Sequence, residues 1–263
     1  MIKISQEILL FFANYIQKEL GIVYEEKNYY QLEHRLVEIT KLLDFAHVEE
    51  LWLEAKKGIS GSFKELLLDL ATNNETSFFR DQSFFKNFKK HIENVFTNEK
   101  AFTKGLRIWS AACSSGQEPY SIAMLLSEIQ GLQFSILASD ISQRVLKKAQ
   151  SGQFSQLEVQ RGLNALELIK YFNQNESQEA TTLWTIKPYI KSFIRFEKRN
   201  LLDNWAGFDS FDFIFCRNVL IYQSIENRKK VIEKIYNSLV PGGCLIMGAG
   251  ESLLGISNEF TLV

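Results

Sequence analysis

A loop rich in small and polar residues is the first part of this sequence that could bind a ligand. It reads SAACSSGQEPY, residues 110–120, between the apolar run LRIWSAA and a helical pattern that starts near Glu118. Gly116 and the small residues let backbone approach a ligand closely, and the helix start offers unpaired N–H groups. Neither GK[ST] nor GxGxxG is present, which disfavours a pyrophosphate. A ligand with an amino-acid end fits better, with Glu118 paired to its ammonium. A carboxylate favoured by the helix dipole is an equal alternative for this residue.

An acidic residue closes the next apolar run, FSILASD, residues 134–140. Nucleotide-binding sheets place an acid at this point to hydrogen-bond the ribose hydroxyls, and Asp140 is the candidate here. Strand-ending Asp residues also commonly cap the following helix through their side chain, so this second interpretation stays open.

A third apolar run, FDFIFCRN, residues 211–218, ends on Arg217 and Asn218, and Tyr222 follows shortly after. In an open parallel sheet, ligands bind beyond the carboxyl ends of the strands, so these side chains are expected beside the two acids. An Arg-Asn pair on its own is more typical of a turn or a surface feature.

The segment TNNETSFFRD, residues 72–81, crowds Asn, Thr and Arg around two phenylalanines. Arg80 is its informative member, because a guanidinium can orient a carboxylate by two-point contact and lysine cannot. The alternative is a capped helix start with Phe78 and Phe79 in the core, and Asp81 can cap the helix that follows.

Two patterns divide the chain into the elements that must position these residues. From Ser5 to about Leu70, apolar residues recur at helical spacing, which predicts a small helical bundle, and no strand is evident in residues 1–97. From residue 106 onward, short apolar runs alternate with helical patterns, which predicts an α/β fold with a parallel sheet.

The end of the chain and the middle of the sheet region have distinct patterns. A helix is predicted from about Ile225 to Leu239, stopped by PGG before a strand CLIMG. Between residues 151 and 199, a polar stretch NQNESQEATT precedes two short alternating runs, LWTIK and FIRFE. These runs predict a small antiparallel ribbon inserted into the sheet region.

Composition excludes several classes of function. Lysine plus arginine number 30 against 31 acidic residues, and the net charge of -1 gives no reason to expect a nucleic-acid partner. The 3 Cys and 3 His have no metal-ligand spacing, so no metal is expected. The N-terminus lacks a basic lead and a cleavage site, and no apolar run reaches membrane-spanning length. The sequence therefore predicts a cytoplasmic protein without membrane insertion.

Five motifs in order resemble the chemotaxis receptor methyltransferases, the CheR-type enzymes. They are NETSFFRD, SAACSSGQEPYSIAM, ASDIS, FDFIFCRNVLIY and LVPGGCLIMGAGESL, and they span residues 73 to about 255. The resemblance implies an N-terminal helical domain, a Rossmann-like S-adenosylmethionine-dependent methyltransferase domain and a small inserted β-subdomain. The corresponding boundaries are 1–72 for the helical domain, 73–105 for an interdomain segment and helix, and 106–263 for the methyltransferase domain, with the insertion at about 151–199.

The resemblance also implies roles for individual residues. Glu118 would contact the methionine end of S-adenosylmethionine, Asp140 would hold its ribose, and Tyr222 with Arg80 would sit beside the transferred methyl group as the catalytic pair. The residues implied to bind the cofactor, or its product S-adenosylhomocysteine, are Asn74, Thr76, Arg80, Glu118, Asp140, Asn200, Leu201, Arg217 and Asn218.

The reaction implied by the resemblance is methyl esterification of glutamates in the cytoplasmic domain of methyl-accepting chemotaxis receptors, carried out by a monomer. Two alternatives remain open, which are a carboxyl methyltransferase for a different signalling protein and a catalytically idle cofactor-binding module. Receptor-docking family members usually present a basic face in the helical domain, whereas residues 1–70 carry eight basic and twelve acidic residues here.

Overall fold

The computed structural model describes residues 4–99, 105–176, 182–205, 208 and 210–262. The helices are α1 Gln6–Leu20, α2 Tyr29–Leu42, α3 Val48–Lys57, α4 Gly61–Ala71, α5 Gln82–Glu99, α6 Gln117–Leu126, α7 Gln143–Ser151, α8 Gln156–Gln160, α9 Ala165–Tyr171, α10 Pro188–Lys191 and α11 Ile225–Asn237. The strands are β1 Leu106–Ala111, β2 Phe134–Asp140, β3 Gln153–Ser155, β4 Phe172–Glu176, β5 Thr182–Ile186, β6 Ile194–Lys198, β7 Phe211–Cys216 and β8 Leu239–Ile246.

The first four helices form the predicted bundle. α1 begins where the Ser5 hydroxyl accepts a hydrogen bond from the N–H of Ile8, and it ends at Gly21, which takes a left-handed conformation with φ of 73°. The helices bury one apolar face each, and their side chains form a core separate from that of the sheet. Its fully buried members include Phe12, Ile16, Leu32, Leu36, Ile39 and Leu51.

Five strands form the main sheet in the order β6-β2-β1-β7-β8, and every neighbouring pair is parallel. This confirms the predicted α/β fold with a parallel sheet. Ala111, at the end of β1, lies beside Ser139 on one side and Cys216 on the other. The loops after β1, β2 and β7 therefore leave the sheet at the same edge, which is where ligands bind in such sheets.

The predicted antiparallel insertion is present, but the predicted strand pairing is wrong. LWTIK forms β5 and pairs with β3 and β4 in a three-stranded sheet, whereas FIRFE forms β6 and joins the main sheet beside β2. The sequence did not predict β4 as a partner of β5, because β4 reads FNQNE and lacks an apolar pattern. Its polar side chains instead contact β5, as where the Asn175 Nδ2 donates to the Thr185 hydroxyl at 2.8 Å. The rest of the polar stretch, residues 177–181, lies outside the described residues.

The last strand also begins earlier than predicted. α11 ends at Asn237, and β8 starts at Leu239, so Pro241 and the two glycines lie inside the strand. They form an irregularity in which pairing passes from Leu239 opposite Phe211 to Cys244 opposite Phe213. Proline is tolerated because β8 pairs on one side only among the described strands.

None of the helices in the described part of the chain is both long and apolar enough to span a membrane.

Candidate functional site

A pocket lies at the carboxyl edge of the main sheet, against the helical bundle, with an empty volume of about 1020 Å³ that includes its open mouth. The sequence-predicted site residues all line it. They are Asn74, Thr76, Arg80, Glu118, Asp140, Asn200, Leu201, Arg217, Asn218 and Tyr222. Elements far apart in sequence therefore bring these ten side chains to one cavity.

The loop after β1 turns sharply to form one wall of the pocket. Ala112, Ser114 and Gly116 have positive φ values of 64°, 50° and 95°. A side chain at Gly116 would put its Cβ 3.0 Å from the Cβ of Ala149 and 3.1 Å from the ring of Tyr120, so glycine permits the close approach of α6 and α7. The turn directs the N–H of Ser114 at Asp140, 2.8 Å from Oδ2.

Asp140 is buried at the end of β2 and accepts two backbone hydrogen bonds. Its Oδ2 accepts from Ser114 and its Oδ1 accepts from the N–H of Ser142 at 3.0 Å. Burial raises the pKa of the Asp140 carboxyl above its usual value, while the N–H groups oppose that rise. The capping interpretation of Asp140 is wrong, because α7 is capped by Ser142, whose hydroxyl accepts from the N–H of Val145.

Glu118 and Arg217 form a buried ion pair in the pocket wall. The Oε2 atom of Glu118 lies 3.3 Å from the Nη1 atom of Arg217, and its Oε1 accepts from the hydroxyl of Ser110 at 2.8 Å. Burial raises the pKa of the Glu118 carboxyl, and the Arg217 guanidinium opposes this rise most strongly. Glu118 is thus a carboxylate at the start of α6 with two partners already in place.

Arg217 also binds Asp81, a contact that the sequence did not reveal. Its Nη2 atom donates to the Asp81 carboxylate and to the backbone carbonyl of Arg80, at 3.3 Å for the latter. The guanidinium stacks over the Phe84 and Phe85 rings at 5.2 and 5.8 Å from their centroids. Asp81 was predicted to cap a helix, but its side chain instead fixes the start of α5 to the end of β7.

Arg80 enters the pocket from a strained turn. Its neighbours Phe79 and Asp81 both have left-handed backbone, with φ of 45° and 67°. Arg80 is partly exposed, and its Nη1 donates a long hydrogen bond of 3.4 Å to the carbonyl of Glu75. Arg80 therefore keeps donor capacity toward the pocket.

Tyr222 reaches the same pocket from a short 3-10 turn, Leu220–Tyr222, that follows β7. Tyr222 is 36% exposed, and its hydroxyl accepts a hydrogen bond of 2.8 Å from the Nδ2 of Asn73. A guanidinium and a phenol from separate parts of the chain thus share one solvent-accessible cavity.

The helical bundle supplies a further wall that sequence reasoning missed. We name the turn after α1, residues 20–23, the clasp, and its Leu20 and Ile22 line the pocket. Gln223 donates from Nε2 to the carbonyl of Leu20 at 2.8 Å, and Ile22 forms an antiparallel bridge with Gln223. Val23 donates to the carbonyl of Tyr222 at 3.0 Å. The only signal in the sequence is Gly21, a residue type that often ends a helix.

Asn200 holds the end of α1, next to the clasp, from a second direction. Its Nδ2 donates to the carbonyl of Glu19 at 2.8 Å, and its Oδ1 accepts from the N–H of Leu202 at 3.0 Å. One side chain therefore lines the pocket and also holds the end of α1 in place.

Among the described residues there is no group of three or more His, Cys, Asp and Glu side chains that could hold a metal ion.

Comparisons with known proteins agree with one another on the family of this sequence. The family described as "CheR methyltransferase, SAM binding domain" matches residues 74–263. The chemotaxis protein methyltransferase Cher2 of Pseudomonas putida is 34% identical over 259 residues, which is 96% of this chain and 92% of that protein. A chemotaxis protein methyltransferase of Vibrio parahaemolyticus is 35% identical over 269 residues, 100% of this chain and 95% of that protein.

A structural likeness is found with the glycopeptide N-methyltransferase MtfA complexed with S-adenosyl-L-methionine. It has a TM-score of 0.39 and 10% identity, and it covers 67% of this chain and 58% of that chain. This likeness is too distant to add to what the sheet order already establishes.

Proposed function

The chain belongs to the CheR methyltransferase family, and from that premise we propose that it transfers the methyl group of S-adenosylmethionine to glutamate side chains of chemotaxis receptors. The products would be glutamate methyl esters, and the acceptor would be the cytoplasmic domain of a methyl-accepting receptor. The observation that supports this most is the convergence of Arg80 and Tyr222 on the pocket that also holds the two buried acids, Glu118 and Asp140.

The side chains of the pocket fit S-adenosylmethionine chemically. The ligand carries an ammonium and two ribose hydroxyls, and two buried carboxylates lie in the pocket wall to receive them.

Each end of the ligand has residues to hold it. Glu118 would bind the ammonium, with Asn74 and Thr76 alongside, and Asp140 would accept from the ribose hydroxyls. The adenine would lie against Leu201 and Asn200. The residues assigned to the cofactor besides these are Arg80, Arg217 and Asn218.

The bound cofactor supplies a methyl group on a positively charged sulfur. The acceptor glutamate has an ordinary pKa of about 4.3, so it is already ionised near neutral pH and needs no strong base. The work of the chain is to orient this carboxylate and exclude water, because well-oriented reactants recover on the order of 7 to 11 kcal/mol of barrier.

Arg80 is suited to orient the carboxylate without holding it too strongly. A negative and a positive charge are consumed in the reaction, so stabilisation exclusive to the reactants would raise the barrier. Arg80 is partly exposed, and water weakens its attraction for a carboxylate relative to a buried guanidinium. Tyr222, whose hydroxyl accepts a hydrogen bond from Asn73, would place that hydroxyl beside the transferred methyl group.

The clasp gives a first testable expectation. The Gly21→Ala substitution should raise the dissociation constant for S-adenosylhomocysteine about tenfold, since it would push away the Gln223 amide that holds the Leu20 carbonyl, and the wall formed by Leu20 and Ile22 would lose this support. A Cβ at Gly21 would lie 2.0 Å from the Gln223 Oε1 and 2.6 Å from the Asn227 Nδ2. Isothermal titration calorimetry measures the change.

The matched control is Gly131→Ala. Gly131 has a similar φ of 82°, and nothing lies within 4 Å of a Cβ built there. Both variants carry the same kind of backbone strain, but only the first should lose affinity. Equal affinities in the two variants would show that the clasp is not a wall of the cofactor site.

The acceptor is tested by incubating the enzyme with methyl-labelled S-adenosylmethionine and isolated receptor cytoplasmic domains. We expect base-labile label on receptor glutamates, because methyl esters hydrolyse in base, and no label with Arg80→Ala enzyme. Label on another signalling protein but never on receptors would favour a carboxyl methyltransferase that acts on that protein. Tight cofactor binding without transfer to any acceptor would favour an idle module.

We expect the enzyme to work as a monomer in the cytoplasm. The helical domain that would meet the receptor is acidic in this chain, with twelve acidic and eight basic residues among residues 1–70. Docking on a receptor would therefore depend less on basic side chains of this domain than the family pattern implies.

A further inference from the structure

A carboxylate beyond the last strand holds the backbone of the loop that follows β7. Glu251 lies in the GAGESL motif after β8. Its Oε2 accepts hydrogen bonds from the N–H groups of Asn218 at 2.7 Å and Gly248 at 2.9 Å. Its Oε1 accepts from the N–H groups of Val219 at 3.1 Å and Leu220 at 3.0 Å. Four backbone donors thus converge on one side chain.

The loop needs this support because its conformation is unfavourable on its own. Asn218 has left-handed backbone with φ of 58°, which residues with a side chain adopt rarely, although asparagine adopts it more readily than most. The 3-10 turn Leu220–Tyr222 is a single turn, so its first N–H groups find no partner within it. The Glu251 carboxylate satisfies the N–H groups of Val219 and Leu220 at the start of this turn.

The opposite end of the loop is held by the opposite charge. Arg228, on α11, donates from Nε to the carbonyl of Gln223 at 2.9 Å and from Nη2 to the carbonyl of Ile221 at 3.0 Å. The anion therefore binds the N–H groups at the start of the loop, and the cation binds the carbonyls at its end. Between these two anchors lies Tyr222.

We propose that Glu251 is a positioning residue for methyl transfer, acting through the loop 218–222 to fix the direction in which Tyr222 enters the cofactor pocket. This inference rests on the proposed function, since it acts through the role assigned to Tyr222. Glu251 is not among the pocket-lining residues of the described chain, whereas both Asn218 and Tyr222 are. Its effect on the reaction is therefore indirect.

The decisive variant is Glu251→Gln, which keeps the size of the side chain. An amide has one acceptor oxygen, and its NH₂ group would face two backbone N–H donors, so two of the four hydrogen bonds would be lost. We expect turnover at saturating cofactor and acceptor to fall about 30-fold, and the dissociation constant for S-adenosylhomocysteine to rise only about threefold. The control is Glu259→Gln, an exposed glutamate of the same C-terminal segment, whose turnover should stay within about twofold of the wild type.

A double-mutant cycle with Tyr222→Phe separates positioning from a merely structural role. If Glu251 acts through Tyr222, Glu251→Gln should lower turnover less than about threefold in the Tyr222→Phe background, because the group it positions is already removed. Independent, multiplying losses of turnover would overturn the inference and leave the proposed function standing. Wild-type turnover of Tyr222→Phe alone would instead overturn the role of Tyr222 in the proposed function.

A second variant answers the question if Glu251→Gln does not fold. A Cβ at Gly248 would lie 2.6 Å from the Asn218 Nδ2 and 2.9 Å from the Glu251 Oε2, so Gly248→Ala crowds both side chains and disturbs the contact of the carboxylate with the loop without changing charge. We expect a turnover loss of about tenfold that again disappears in the Tyr222→Phe background. Full turnover of a folded Gly248→Ala enzyme would contradict the inference.

Discussion

Replacing Arg80 by alanine is expected to lower turnover about 10³-fold, while the dissociation constant for S-adenosylhomocysteine changes less than about fivefold. Arg80 lines the pocket, and its described hydrogen bond is a long one of 3.4 Å to the Glu75 carbonyl. Its remaining donors are available to orient an incoming carboxylate, which product binding does not require. Steady-state kinetics and calorimetry on the same preparations measure the two quantities.

Lysine at this position should restore little of the lost activity. It keeps the charge but cannot make the two-point contact with a carboxylate, so Arg80→Lys is expected to remain at least about tenfold below the wild type. Arg144→Ala serves as the control, because Arg144 is exposed on α7 and is not among the pocket-lining residues of the described chain.

Asp140→Ala should have the opposite effect to Arg80→Ala, because it should weaken cofactor binding much more than it lowers turnover. Asp140 accepts backbone N–H groups and faces the pocket where a ribose would lie, so its loss should weaken cofactor binding about 30-fold. Turnover at saturating cofactor should stay within about threefold of the wild type. Equal effects on binding and turnover in both variants would refute the roles assigned to Arg80 and Asp140.

Local sequence patterns were sufficient where each element buries a continuous apolar run. β2 was predicted as residues 134–140 and has these bounds, and β1 and β7 differ by one or two residues at their ends. Each of these strands is buried on both faces, so the apolar signal is strong. β4 could not be predicted in this way, because its polar residues form a strand through pairing with β5 rather than through burial.

In the site, too, local patterns predicted some residues, whereas contacts between distant parts of the chain were not predicted. Residues at strand ends, such as Asp140 and Arg217, could be predicted because parallel strands deliver them to one edge. The contact from Arg217 to Asp81 and the closure of the pocket by Leu20 and Ile22 depend on how the helical bundle meets the sheet domain. The spacing of residues in the sequence does not predict such contacts. Nor does it predict the hydrogen bonds from the loop after β7 to Glu251.

Arg217→Met is expected to destabilise the fold by about 3 to 5 kcal/mol, because it leaves the Glu118 carboxylate buried without its cationic partner. The Arg217 side chain is 4% exposed and that of Glu118 is 15% exposed, so water cannot replace the lost contact fully. Asp81 is 43% exposed and can be hydrated, so the loss should centre on Glu118. Chemical denaturation gives the free energy of unfolding.

The double variant Arg217→Met with Glu118→Gln tests this explanation. It removes the buried charge together with its partner, so about half of the lost stability should return, whereas a packing defect at Arg217 would leave the deficit unchanged.

The stability deficit of Arg217→Met should also depend on pH. Burial raises the pKa of Glu118 in the folded chain, and without Arg217 this pKa should rise further. Between the unfolded and the folded pKa, the folded Arg217→Met chain therefore holds a proton on Glu118 that the unfolded chain has lost, and its stability falls as pH rises through this range. Its stability deficit should therefore be smaller at about pH 5 than at about pH 8, and a deficit that does not vary with pH would rule out Glu118 as its source.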